Sequence, residues 1–120
     1  MLSCYIIDDE QYAIEALTTY IKKLPGLVLL EAFQSPLMAL EAIRNRELPD
    51  IVFLDIDMTE LSGLAVADLL PKSISIVFTT GHSKYALDGF KKDIADFLLK
   101  PYRFETFQLS VGVSPTENNY

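Results

Sequence analysis

The chain has no tryptophan, a single cysteine and a single histidine. With Cys4 alone, no intramolecular disulfide framework can form, and a reducing compartment is expected. Cys4 falls in the middle of an apolar run, so it reads as core, and a redox role has no support. Basic residues are scarce: ten against seventeen acids give a net charge of −7. That balance argues against autonomous DNA or RNA binding, which needs a basic patch. No apolar run approaches the roughly 20 residues that span a bilayer. No basic lead precedes the first apolar run, so no signal peptide is expected, and the reading is cytoplasmic and soluble with no membrane partner. Internal repeats, low-complexity stretches and heptads are also missing.

What is present is apolar content and alternation. Half of the 120 residues are apolar, enough for one domain with a real core. Strand-like runs at residues 2–7, 27–33, 51–54, 74–79 and 95–99 alternate with helical periodicity at 11–24, 37–43, 61–70, 83–90 and 104–111. Pro25-Gly26 and Pro71 close helices, and Ser35-Pro36 reads as an N-cap followed by proline at the first helical position. Five strands interleaved with helices predict an α/β domain with a doubly wound parallel sheet and helices on both faces. Right-handed crossovers then bring every strand's C-terminal end to one rim, where open α/β sheets bind ligands.

That rim is where the chemistry collects. Asp8 and Asp9 follow the first strand, Asp55 the third, Thr80 the fourth and Lys100 the fifth. Aspartate is a poor strand former and an unpaired buried charge is costly, so carboxylates where buried strands stop suggest a shared site. Three such groups repel unless a cation lies between them, and Mg2+ favours oxygen ligands of this kind. A carboxylate can attack phosphorus and form an aspartyl phosphate. Asp55, alone at a central strand end, suits the nucleophile. Asp9 and Asp55 suit Mg2+, with Asp8 as a direct or water-mediated ligand. Lys100 offers a point charge for a phosphoryl oxygen, Thr80 a hydroxyl donor, and Gly81 room beside it. Each residue also has an ordinary reading: acidic helix start for Asp8 and Asp9, turn hydroxyl for Thr80, surface lysine for Lys100, loop residue for His82. The combination favours the shared site.

The set Asp8-Asp9, Asp55, Thr80 and Lys100-Pro101 resembles the receiver domain of bacterial two-component response regulators. Phe53-Leu54-Asp55-Ile56-Asp57-Met58 and Phe78-Thr79-Thr80-Gly81-His82-Ser83-Lys84-Tyr85-Ala86-Leu87 are similar to receivers of the LytTR class. The resemblance implies a flavodoxin-like sheet of order 2-1-3-4-5. It implies phosphoryl transfer from a histidine kinase to Asp55, Mg2+ bound by Asp8, Asp9, Asp55 and the backbone carbonyl of Asp57, and a Lys100-Pro101 peptide that is often cis. Phe97 reads equally as packing or as the family's switch aromatic. A homodimer through the helix at 83–90, the fifth strand and the last helix also follows from the resemblance. Asp57 and His82 flank the pocket mouth in receivers and influence hydrolysis of the phosphoryl group.

Two departures stand out. Thr59 occupies a position where the family usually has proline, so a looser turn is expected. LytTR regulators also carry a DNA-binding domain. The expected organisation here is a receiver over 1–111 and a polar, frayed tail over 112–120 without an effector domain, as a stand-alone receiver or part of a longer regulator. A second reading rests on Asp55-Ile56-Asp57-Met58-Thr59, which matches the D-x-D-x-T motif of haloacid-dehalogenase-type phosphatases. There Asp55 is the nucleophile and Asp57 the general acid/base, but two strand-helix units precede the motif and Asp8-Asp9 stay unexplained. A flavin module of the same fold is unsupported, because the first loop is acidic where a phosphate-binding loop would be rich in glycine, serine and threonine.

Overall fold

The computed structural model describes residues 1–82 and 96–112. The helix expected at 83–90 and the tail beyond Gly112 lie outside the described residues. Within them the chain runs β1 (Leu2–Ile7), α1 (Gln11–Ile21), β2 (Leu27–Phe33), α2 (Pro36–Asn45), β3 (Ile51–Asp55), α3 (Gly63–Leu69), β4 (Ser75–Thr80), β5 (Asp96–Leu99) and α4 (Phe104–Val111). All neighbouring strands pair in parallel, in the order β2-β1-β3-β4-β5. This is the flavodoxin-like order expected from the sequence.

Side chains alternate across a strand, so each buried strand serves two cores. Cys4, Ile6, Phe53, Val77 and Leu98 face one layer, closed by Ile14, Leu17 and Ile21 of α1 and Phe107 of α4. Tyr5, Ile7, Val52, Leu54 and Phe78 face the other, closed by Ala39, Ala42 and Ile43 of α2 and Val66 of α3. Cys4 is fully buried, and burial pushes its thiol up to about 12, so it stays neutral in the core.

Local signals account for the starts of α2 and α3. Ser35 Oγ accepts the amide of Met38 at 3.3 Å, and Pro36 opens α2. Ser62 Oγ accepts the amide of Leu64 at 3.1 Å at the start of α3. Several boundaries depart from the sequence reading, and three of them have a visible local cause. Helix α1 ends at Ile21, because the amides of Lys23 and Leu24 bond three residues back, to Tyr20 and Ile21, and tighten the last turn. Helix α3 begins two residues later than expected, after its Ser62 cap. Strand β4 extends to Thr80, because the Lys100 amide donates to the Thr80 carbonyl at 2.7 Å. Gly112, at φ 74°, closes α4 in the left-handed region that glycine adopts freely.

Parallel pairing fixes which residues share a rim. Ile7 lies level with Phe33 and Leu54, Asp55 with Thr79, and Thr80 with Leu99. The next residue beyond each strand, or its last, therefore faces the same end of the sheet.

Candidate functional site

At that end Asp8, Asp9 and Asp55 each present a carboxylate oxygen, and the three atoms lie within 4.8 Å of one another. Asp8 and Asp55 are buried, at 4% and 2% exposure, and Asp9 is half-buried. Lys100 reaches in from the end of β5. Its Nζ donates to Asp8 Oδ2 at 2.9 Å and to Asp55 Oδ1 at 3.4 Å. The peptide that follows, Lys100-Pro101, is cis.

Asp8 also serves the turn into α1, since its Oδ1 accepts the Glu10 amide at 3.0 Å. The helix N-cap itself is Glu10, whose side chain makes no capping bond. Thus Asp8 faces the pocket with one oxygen and the backbone with the other, and the helix-start reading describes only half of its contacts.

Burial is the largest influence on Asp55 and raises its carboxyl. The Asp8 charge adds to this, while Lys100 and the Asp57 amide act in the opposite sense, and the balance stands at about 6. For Lys100, burial works to lower the ammonium, but its hydrogen bond and charge contact with Asp8, joined by Asp55, outweigh burial and hold it above its ordinary value. Repulsion from the Asp8 charge therefore acts on Asp55, and Lys100 partly offsets it. The Asp57 amide approaches Asp55 Oδ1 at 3.4 Å. Oδ2 of Asp55 accepts no hydrogen bond from the described residues.

Thr80 is fully buried. Its hydroxyl accepts the His82 amide at 3.1 Å and donates to Asp57 Oδ2 at 2.9 Å. The two expected mouth residues do face each other, with His82 Nε2 4.0 Å from Asp57 Oδ1. Phe97, half-buried, stacks on Phe78 with ring centroids 5.2 Å apart and planes at 28°. Gly81 is exposed, and an added Cβ there would meet no protein atom within 4 Å, so it borders open space beside Thr80.

Several site contacts were not read from the sequence. Thr59, where a proline is usual, carries an amide that proline lacks, and this amide donates to Asp9 Oδ2 at 3.3 Å. The departure ties the turn to Asp9 instead of loosening it. Gln34 Nε2 donates to the Asp9 carbonyl at 3.3 Å, and Ser35 Oγ to Glu60 at 2.7 Å, so the loops after β1, β2 and β3 are laced together. Gly63 lies against the end of β3, where an added Cβ would sit 2.2 Å from the Asp55 carbonyl oxygen. Small size at Gly63 lets α3 start directly behind Asp55. A glycine in sequence signals such an approach without naming its partner.

Opposite oxygens in a Mg2+ shell lie about 4 Å apart. The three carboxylates thus fit such an ion with little movement. The family model of the response regulator receiver domain matches residues 4–111. The chain belongs to the response regulator receiver domain family. The match includes both strand-helix units that precede Asp55. A response regulatory protein of Yersinia pestis is 40% identical over 103 residues, covering 84% of this chain and 43% of that protein. The sensory transduction protein LytT of Bacillus anthracis is 33% identical over 105 residues, covering 85% of this chain and 42% of LytT. This receiver therefore spans less than half the length of those relatives, and the similarity to LytT agrees with the LytTR resemblance. Among solved structures, the response regulator TrrA of Thermotoga maritima, in complex with Mg2+-BeF, superposes with a TM-score of 0.81 at 25% identity, covering 93% of this chain and 97% of that one. The response regulatory domain of mrkE from Klebsiella pneumoniae shares the fold, with a TM-score of 0.82 at 23% identity and coverage of 99% and 100%.

Proposed function

We propose that this receiver takes a phosphoryl group from a histidine kinase onto Asp55. The observation that carries the reading is a buried strand-end carboxylate, grouped with two further acids and bonded to a lysine. In the transfer, an Asp55 carboxylate oxygen forms a bond to phosphorus as the phosphorus–nitrogen bond of the donor phosphohistidine breaks. The bonding pair leaves with the imidazole nitrogen. Oδ2 suits the attack, because Oδ1 already holds the Lys100 ammonium and the Asp57 amide. Lys100 and the Thr80 hydroxyl are the donors assigned to the phosphoryl oxygens, and positioning plus charge neutralisation supply most of the catalysis.

Asp8, Asp9, Asp55 and the Asp57 carbonyl would hold Mg2+, which when bound supplies positive charge between the carboxylates and the phosphoryl oxygens. The Mg2+-BeF complex of TrrA supports this assignment by similarity. Signalling follows from a local charge event that biases a two-state element. Thr80 moves toward the phosphoryl group, Phe97 shifts on its Phe78 stack, and the face around β5 and α4 changes its affinity for partners, including a second receiver. Return to the resting state is hydrolysis at the same pocket.

The test is intact mass after treatment with acetyl phosphate and Mg2+. One added phosphoryl group is expected, lost on chelation of Mg2+ and absent in Asp55→Asn. Equal labelling of the Asn variant would refute Asp55 as acceptor.

A further inference from the structure

The Thr80 hydroxyl has one proton to give, and in this structure Asp57 already has it. Threonine carries a single O–H donor. That donor is directed to Asp57 Oδ2 at 2.9 Å, while the same oxygen accepts the His82 amide at 3.1 Å. Thr80 is fully buried, so water cannot supply a substitute partner to its hydroxyl. Asp57 also reaches the acceptor side of the pocket, because its own amide lies 3.4 Å from Asp55 Oδ1. One residue thus touches both the proposed phosphoacceptor and the proposed switch hydroxyl, through different atoms.

We infer that Asp57 is a latch on Thr80, a positioning residue that sets how readily the receiver switches. The inference rests on the phosphoacceptor reading of Asp55. In the resting state the Asp57 carboxylate holds the hydroxyl away from Asp55. A phosphoryl oxygen on Asp55 competes for the same proton, and Thr80 can donate to only one of them. The switch therefore includes an exchange of acceptors: the bond to Asp57 breaks as the bond to the phosphoryl oxygen forms. Asp57 can bear this loss, because its side chain is 35% exposed and water can solvate the freed carboxylate. The ranking of the two acceptors is then a property of this chain. A residue without an acceptor at position 57 leaves Thr80 free, and a carboxylate there opposes the switched state.

The experiment is a beryllofluoride titration in saturating Mg2+, followed by calorimetry and by the amide resonance of His82, which bonds the Thr80 oxygen. The proteins are wild type, Asp57→Ala, Asp57→Asn, Thr80→Ala, Thr80→Ser and the Asp57→Ala/Thr80→Ala double variant. Loss of a charge-assisted hydrogen bond from the resting state is expected to tighten binding about tenfold in Asp57→Ala. Asp57→Asn keeps an acceptor oxygen and falls between wild type and alanine. Thr80→Ser keeps the hydroxyl and follows wild type. In the Thr80→Ala background the gain from Asp57→Ala shrinks to the part that charge repulsion alone supplies, which is the non-additivity of two groups in one bond. An undiminished gain in that background would mean that Asp57 acts only by repelling the anion, and the latch is wrong. Unchanged or weaker binding by Asp57→Ala overturns it as well, with the phosphoacceptor reading intact. A wild type that takes up no beryllofluoride overturns both.

Discussion

Replacing Asp55 by asparagine should stabilise the metal-free receiver, and the gain should grow with pH. Burial and the Asp8 charge lift the Asp55 carboxyl from its ordinary 3.8 to about 6. Below 3.8 the carboxyl is protonated in both folded and unfolded chains, and it contributes nothing. Between 3.8 and about 6 the unfolded chain has lost its proton while the folded one retains it. Folding then takes up a proton, and stability falls as pH rises. Above about 6 both forms are ionised and the full penalty persists. At about 1.4 kcal/mol per pH unit, the gap corresponds to an upper bound of ~3 kcal/mol. Asparagine removes the charge and keeps the shape and an acceptor for Lys100, which also retains Asp8. For a chain of this size, that upper bound corresponds to about 10 °C in Tm. The assay is urea unfolding by far-UV circular dichroism from pH 4 to 8 in chelator, for both proteins. The difference between them should be near zero at pH 4 and level off above pH 6.5. A flat difference would show that the pocket does not strain Asp55. A difference of opposite sign would show that Lys100 outweighs burial and Asp8 together.

Four further outcomes are expected. Mg2+ at ten times its Kd should stabilise the fold by about 1.4 kcal/mol through selective binding to the native state; in thermal melts the shift should vanish in Asp9→Ala, with Ca2+ run for comparison. Gly63→Ala should cost about 2 kcal/mol or more in urea unfolding, because its methyl group would collide with the Asp55 carbonyl backbone; a neutral variant would show that α3 can back away freely. Beryllofluoride should change sedimentation and amide exchange in wild type but not in Thr80→Ala; identical patterns in both states would refute coupling through Thr80. Asp57 and His82, 4.0 Å apart across the pocket mouth, should slow entry of the hydrolytic water. Decay of the phosphorylated mass between about pH 6 and 8 should therefore be faster in His82→Ala and in Asp57→Ala, and non-additive in the double variant. An alanine variant that keeps its phosphoryl group as long as wild type would rule out the lid.

Sheet order and the gathering of Asp8, Asp9, Asp55 and Lys100 at one rim were legible because both rest on strand ends. Alternating elements imply parallel strands, parallel strands share a rim, and the residues after each apolar run fall there. Contacts among those residues were not legible. The Thr80–Asp57 bond joins positions 23 apart, and its existence depends on side-chain rotamers set by packing. The Lys100–Asp8 bond joins positions 92 apart, and sequence reading gave Lys100 to a phosphoryl oxygen without foreseeing its resting partner. Gly63 and Gly81 show the same limit from opposite sides. Gly81 drew attention by standing next to Thr80, yet it faces open space, whereas Gly63 is pressed against Asp55. Sequence shows where chain flexibility is permitted; only packing shows where it is used.

Charge accounting explains why the pocket needs both a lysine and a hydroxyl. Asp8, Asp9 and Asp55 against Lys100 leave two negative charges in excess, which a divalent cation cancels. The proposed phosphorylation of Asp55 would remove one carboxylate charge and bring in a phosphoryl group with two. The phosphorylated, metal-bound pocket is therefore one charge more negative than the metal-bound resting pocket, before Asp57 is counted. Neutral donors are the remaining means of stabilising that charge, and the fully buried Thr80 hydroxyl is one within the described rim. An acid at position 57 works against it twice, by adding negative charge at the mouth and by occupying the hydroxyl's only proton. With the proposed latch, such a receiver would resist switching until a full phosphoryl charge is present, which is the behaviour a signalling element requires of its resting state.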